Sequence, residues 1–201
     1  MSITISKNDQ RFTSLKIILK ALSKKDHTST LKTLKHLLIE PNYIVATDGR
    51  RLHYMPNLPM LTPGTYALIK ANATEIILNP VSPAEVGKYP DWRLVTGIST
   101  NTIETTTDIN ILLYILGNLG ICVDHKHLRD ILGNRTETIK LYCTDGQQPI
   151  TLKINDITCV IMNVIPPNYI TKPATADEQT VLKVNVIPNG ENNEPSKPES
   201  V

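Results

Sequence analysis

Five histidines, three cysteines and several aspartates at turn positions are the side chains of this 201-residue chain that could bind a metal or move a proton. Their spacing argues against both. His125 and His127 stand two apart and cannot share a helical face, and His27, His36 and His53 lack a cysteine or acid at ligand spacing. Cys122, Cys143 and Cys159 lie far apart in apolar stretches with no C-x-x-C pair, which reads as buried thiols in a reducing cytoplasm. Asp48, Asp91 and Asp145 could be imagined as catalytic acids, yet each sits at a turn with no companion base and no phosphate-cradling glycine loop. No enzyme, metal or cofactor is expected.

What remains is recognition chemistry. The run Thr47-Asp48-Gly49-Arg50-Arg51-Leu52 combines a turn pair with two guanidinium groups and an aliphatic side chain. Asp-Gly is the favoured type I′ hairpin turn, and a second Thr-Asp-Gly at 144–146 shows that the motif can serve as a turn alone. Lys16, Lys20, Lys24, Lys126 and Arg129 fall on the polar faces of two amphipathic stretches, either as a solvated surface or as a contact for a polyanion. The net charge is +2, but the tail beyond Pro166 holds three Lys and five acids, so the body carries +4. That bias is mild and does not by itself identify a nucleic-acid partner.

The elements that must position these residues follow from periodicity. One Phe and one Trp leave Leu, Ile and Val to fill the core, which favours strands paired with amphipathic helices. Residues 2–6 alternate as a short strand, and 11–25 place Phe12, Leu15, Ile18, Leu19 and Leu22 on one helical stripe. Strands are expected over "TLKHLLIE", "YIVATD", "RRLHYM", "TYALIKA" and "TEIILN", after which Pro80, Pro83 and Gly87 break regular structure. Asp108 caps a buried helix from 109 to about 117, "GICV" is a brief strand, and Asp124 caps a helix over "HKHLRDIL". "TIKLYC", "PITLKI" and "TCVIMNVI" complete the strands.

Strand, basic helix, strand, Thr-Asp-Gly, strand thus occurs twice, about 97 residues apart, as a pseudo-repeat. The tail 167–201, rich in Pro, Asn and Glu, is expected to be largely disordered, with strand character only in "TVLKVNVI". That segment could augment a neighbour's sheet edge or fold back on its own domain. No apolar run is long enough to span a membrane, and the reading is a soluble, cytoplasmic protein.

Three stretches in order, "ATDGRRL" (46–52), "YPDWRLV" (89–95) and "CVIMNVI" (159–165), resemble the bacterial DNA polymerase III β subunit, or sliding clamp. The resemblance covers roughly residues 1–166, with 96–120 matching poorly. It implies an α+β, DNA-clamp-like fold of two βαβββ units, with antiparallel sheets outside and two basic helices facing DNA. Residues 1–166 would form one domain with halves at about 1–95 and 120–166, joined by a linker and helix over 96–119.

It also implies a hydrophobic groove for client peptides from a polymerase, clamp loader or repair protein. Thr47, Gly49, Arg50, Arg51 and Leu52 would form one wall, Pro90, Leu94 and Val95 another, and Val160, Met162 and Val164 the third. Aliphatic and Met side chains suit such a groove, with Arg51 and the Gly49 backbone as candidate donors. Lys16, Lys20, Lys24, Lys126 and Arg129 would meet double-stranded DNA without sequence preference.

The family's chains hold three domains and run to nearly twice this length, so a twelve-helix ring would take about six copies of this chain as a homo-oligomer. Arg50 stands where the family has His, Asn163 where it has Pro, and Ile165 where it has a basic residue. The function implied is a processivity factor. The rival reading is an adaptor or decoy that binds clamp-client peptides without encircling DNA.

Overall fold

Period-two alternation builds the outer strands, and their burial follows it: β8 (Thr138–Cys143) and β9 (Ile150–Ile154) bury every second residue. The computed structural model describes residues 2–24, 29–57, 61–96, 101–133, 137–144, 148–164 and 186–188, with 29–31 and 186–188 by backbone alone. The remaining strands are β1 (Ile3–Ser6), β2 (His36–Ile39), β3 (Tyr43–Thr47), β4 (Arg51–Pro56), β5 (Gly64–Ala71), β6 (Glu75–Val81), β7 (Asn101–Thr106), β10 (Ile157–Ile161) and β11 (Val186–Pro188). All pair antiparallel in one sheet of order β1-β6-β5-β2-β3-β4-β10-β9-β8-β7-β11.

The seam between β4 and β10 organises this order. Outward from it the strands read β4-β3-β2 on one side and β10-β9-β8 on the other, so the sheet is built of two like units meeting edge to edge. The units differ at their far ends, because the β5–β6 hairpin is inserted between β2 and β1 whereas β8 pairs directly with β7. β10 is buried at all five positions, since both faces of the sheet are covered at the seam.

Among the described residues, four α-helices accompany the sheet: α1 (Phe12–Leu19), the single turn α2 (Pro83–Val86), α3 (Ile109–Asn118) and α4 (His125–Leu132). Leu15 and Ile18 of α1, Leu112 and Leu116 of α3, and Leu128 and Ile131 of α4 join the main core against the sheet. Asp108 and Asp124 cap α3 and α4 by accepting from backbone N–H groups of Asn110 and Lys126, at 2.8 and 2.9 Å. The hydrogen bond from the Lys126 N–H holds the Asp124 carboxyl below its ordinary pKa, with nearby positive charge adding to the effect.

Several sequence expectations change. The first helix ends at Leu19, where Ala21 and Leu22 donate three residues back and tighten the chain out of the α conformation. "GICV" is not a strand; the strand that opens the second unit is β7, inside the stretch read as a linker. α3 is only partly buried, with Tyr114 47 % exposed, so its apolar residues outnumber the core positions available to it. Pro80 lies within β6, beyond the reach of β1, whose pairing covers only residues 75–78, so its missing N–H leaves no gap in that ladder.

The two Thr-Asp-Gly runs are not equivalent. The first joins β3 to β4, whereas the second falls between β8 and β9, which correspond to β2 and β3; Asp145 and Gly146 themselves lie outside the described residues. In the tail, β11 pairs with β7 of its own chain, placing Val186 opposite Ile103, and the rest of 165–201 lies outside the described residues. No helix among the described residues is long and apolar enough to cross a membrane.

A cross-strand row of Ala46, His53, Cys159 and Leu152 forms the floor beneath α1. His53 is fully buried, and its Nδ1–H donates to the Ile17 carbonyl at 2.9 Å. Burial lowers its pKa to about 4, with the Arg51 charge adding to the effect, so the ring is neutral near pH 7. The unfolded chain therefore binds a proton that the folded chain refuses between pH 6.5 and about 4. Stability contributed by neutral His53 is fully present above pH 6.5 and falls by about 1.4 kcal/mol per pH unit below it. Half-buried His127, whose pKa is lowered first by burial and then by Arg51, acts in the same sense. Urea denaturation between pH 7 and 5 should show this decline. His53→Leu should flatten it while costing stability at pH 7, and an unaltered slope in that variant would refute the assignment.

Candidate functional site

Three residues, Asp48, Gly49 and Arg50, connect β3 to β4, and side-chain hydrogen bonds rather than a two-residue Asp-Gly turn shape the loop. The Asp48 carboxylate accepts from the backbone N–H groups of Arg50 and Arg51, both at 3.0 Å. Thr47 Oγ1 donates to the Arg51 carbonyl at 2.7 Å and accepts from the Gly49 N–H at 3.1 Å. Gly49 has φ +86°, which favours glycine, and a Cβ there would sit 3.7 Å from Leu34 Cδ1.

Arg51 fixes this tip to the helices. It is 8 % exposed, and its Nε donates to Asp48 at 3.0 Å and its Nη1 to Asp130 of α4 at 2.7 Å. Its Nη2 donates to the Lys20 carbonyl just beyond α1. Each guanidinium nitrogen thus has a protein acceptor, and Arg51 ties the hairpin to α4 and to the chain just beyond α1.

On the opposite face of the same strands lies an apolar concavity of about 230 Å³. Eight of the eleven residues singled out from the sequence line it: Thr47, Gly49, Arg51 and Leu52 from the hairpin, Pro90 and Val95 from the segment after β6, and Val160 and Met162 from the third stretch. The register explains part of this, because Thr47, Leu52 and Val160 are cross-strand neighbours on one face. Leu52 and Val160 form a buried floor, while Met162, 41 % exposed, stands at the lip with its N–H on the Arg50 carbonyl at 2.9 Å.

Three expected residues lie elsewhere. Leu94 is 75 % exposed and points off the wall, and exposed Val164 donates its N–H to the Cys122 carbonyl at 2.8 Å. Arg50 faces a separate cavity with Lys24 and His127, because it lies in the loop ahead of β4, where strand alternation no longer sets its direction.

Sequence reading missed Leu34, Asp91 and Trp92 as lining residues. Leu34 was hidden in a stretch taken for strand that forms a 3-10 helix, Ser29–Lys35. Trp92 stands in the "YPDWRLV" stretch, where only Pro90, Leu94 and Val95 were expected to line the groove. It opens a second 3-10 helix, Trp92–Val95, which Asp91 caps by accepting from the Arg93 N–H at 3.2 Å. The indole packs 5.4 Å from Tyr43 and 4.9 Å from Tyr54, centroid to centroid, and Arg93 covers its ring while bridging to Glu40. Burial raises the nearby Tyr89 phenol far above its ordinary pKa, only partly offset by the Thr47 backbone.

The residues considered for DNA are all exposed: Lys16 on α1, Lys20 and Lys24 beyond it, and Lys126 and Arg129 on α4. Lys20 Nζ donates to the Asp130 carbonyl at 2.8 Å, tying the end of α1 to α4. A shallow hollow of about 240 Å³ runs between the two helices, edged by Lys16 and Lys20.

No family model and no curated protein sequence matches the chain. Solved structures match it in fold. The Thermotoga maritima DNA polymerase III β subunit gives a TM-score of 0.55 at 11 % identity, over 83 % of this chain and 66 % of that one. The Bacillus subtilis DNA polymerase sliding clamp gives 0.55 at 13 % identity, over 83 % and 65 %. The Helicobacter pylori β clamp, solved bound to a DNA ligase peptide, gives 0.55 at 12 % identity, over 81 % and 65 %. The chain has the fold of a shortened sliding clamp and spans less than two thirds of the length of these clamps.

Removing the Arg51 guanidinium leaves two carboxylates and a carbonyl without their shared donor. Arg51→Ala should lower stability by about 1–3 kcal/mol, below the figure for a fully buried pair because Asp130 is partly exposed. Arg51→Lys should recover little, since one ammonium cannot reach three divergent acceptors. Equilibrium denaturation of both variants measures this, and near-native stability of Arg51→Ala would contradict the anchoring role.

Proposed function

We propose that this chain is a sliding-clamp-like DNA tether whose groove holds the apolar anchors of a client peptide. Lys16, Lys20, Lys126 and Arg129 would face the phosphates of duplex DNA, with Lys24 set apart in a hollow beside the hairpin tip. The observation that carries this reading is convergence: three stretches far apart in sequence line one apolar concavity, while α1 packs on the other face of β3 and β4 with α4 beside it. Neither feature needs a reacting group, and the role is tethering rather than chemistry.

A linear peptide burying two anchors such as Leu and Phe gains about 1.5–3 kcal/mol from each. Ordering the peptide and losing its translational freedom offset much of that, so affinity in isolation should be about micromolar. A labelled peptide of the Gln-Leu-x-Leu-Phe type should bind saturably, and Met162→Glu should weaken it about tenfold or more with the fold intact, because Met162 stands at the lip. Leu52 and Val160 are poorer probes, being buried in the core itself. Absence of saturation by about 500 μM for the wild type would reject the groove reading.

About four phosphate contacts give a log–log salt slope near −3 to −4 on duplex DNA. Lys16→Glu together with Lys126→Glu should flatten the slope by about 2, and salt-independent binding would reject electrostatic tethering.

A second reading, an adaptor that holds client peptides without encircling DNA, is favoured by one observation. β11 lies along β7 and so occupies part of the sheet edge that a neighbouring chain would need. With two basic helices per chain, a twelve-helix pore takes about six copies by the geometry of the clamp resemblance. Light scattering with and without DNA separates the readings: a mass near that multiple supports a ring, and a monomer supports the adaptor.

A further inference from the structure

The hairpin tip is a partition with two unlike sides. Thr47 and Gly49 face the apolar groove, Asp48 and Arg50 face away from it, and Arg51 contributes to both walls. The far side is a hollow of about 310 Å³ formed with Ser23, Lys24 and His127. Its charges do not cancel. The Asp48 carboxylate is engaged by Arg51 Nε and by two backbone N–H groups, and Asp130 takes Arg51 Nη1. Lys24 and Arg50 form no ion pair among the described residues. Lys24, Arg50 and Arg51 outnumber Asp48 and Asp130 around the hollow, and at His127 burial and then the Arg51 charge lower the pKa against the opposing carboxylates of Asp48, Asp124 and Asp130.

We propose that this hollow is a carboxylate-binding subsite for the same linear peptide whose apolar anchors fill the groove, so that the preferred client carries acidic residues flanking its anchor. The proposal rests on the peptide reading of the groove. Two unpaired cations set around a side-chain-sized hollow suit a carboxylate on a flexible stem. A duplex is a stiff rod whose phosphates follow its own surface, and it fits poorly into a recess bounded by a hairpin tip and the ends of two helices. The shared Arg51 wall places the subsite next to the groove, so one extended peptide crossing the tip at Gly49 and Arg50 can meet both. Gly49, without a side chain, leaves that crossing low.

The test uses three labelled peptides with one Leu-x-Leu-Phe core: one with Asp-Asp before it, one with Asp-Asp after it, and one with Asn-Asn on both sides. At low salt, one acidic peptide should bind the wild type about five- to tenfold more tightly than the Asn peptide. Arg50→Gln with Lys24→Gln should bring that ratio close to one. Equal binding of all three by the wild type leaves the groove standing and overturns the subsite, as does a preference that survives in the double variant. Failure of every peptide to bind removes the groove reading and the subsite with it. Loss of duplex binding in the double variant, with the peptide preference retained, would make the hollow a phosphate contact instead and likewise overturn the proposal.

Discussion

The buried guanidinium of Arg51 is the constraint around which the site is arranged. A charge taken out of water needs acceptors on every side, and here they come from the hairpin, from the end of α1 and from α4. Those three elements are thereby fixed relative to one another. Asp48 shapes the loop through its backbone contacts and also faces the guanidinium, which joins local turn chemistry to tertiary position. The groove inherits its rigid wall from this arrangement. With Arg51 held from behind, Thr47, Gly49 and Leu52 present a fixed surface.

The other walls are held by different forces. Trp92 sits among Tyr43, Tyr54 and the floor residues Val45, Leu52 and Val160, in a small core separate from the main one. Arg93 stacks on the indole and bridges to Glu40 between β2 and β3, closing the segment over the strands. An electrostatic clamp on one side and an aromatic cluster on the other leave Met162, exposed at the lip, as the adaptable member.

Local signals were legible in the sequence, and long-range ones were not. Asp108 and Asp124 marked helix starts because a capping side chain acts on its own next turn, and α4 was plain from the spacing of Leu128, Ile131 and Leu132. β7 was hidden because its sequence is mostly Thr and Asn, with Ile103 its only large apolar residue, and its strand state depends on β8. "GICV" has strand composition, but it opens on Gly120 at φ +68° and, among the described residues, forms one backbone hydrogen bond to Val164 rather than a ladder. Most of the groove was readable because motif residues on alternating strand positions share a face. Arg50, implied by the resemblance, lies instead in the loop ahead of β4 and lines the other hollow, and the binding of Arg51 to α1 and α4 left no trace in local sequence at all.

The seam between β4 and β10 also dictates when this molecule can become competent. Leu52 and Val160 face each other across it although over a hundred residues separate them in the chain, so the contact closes a very long loop. A ribosome has delivered α1, the hairpin and the Trp92 segment well before it reaches β10. Until then the floor lacks Val160, the lip lacks Met162, and β4 has an unpaired edge. The groove is therefore absent from a half-made polypeptide, and the interval before β10 arrives is when nascent chains are most exposed to mispairing with one another.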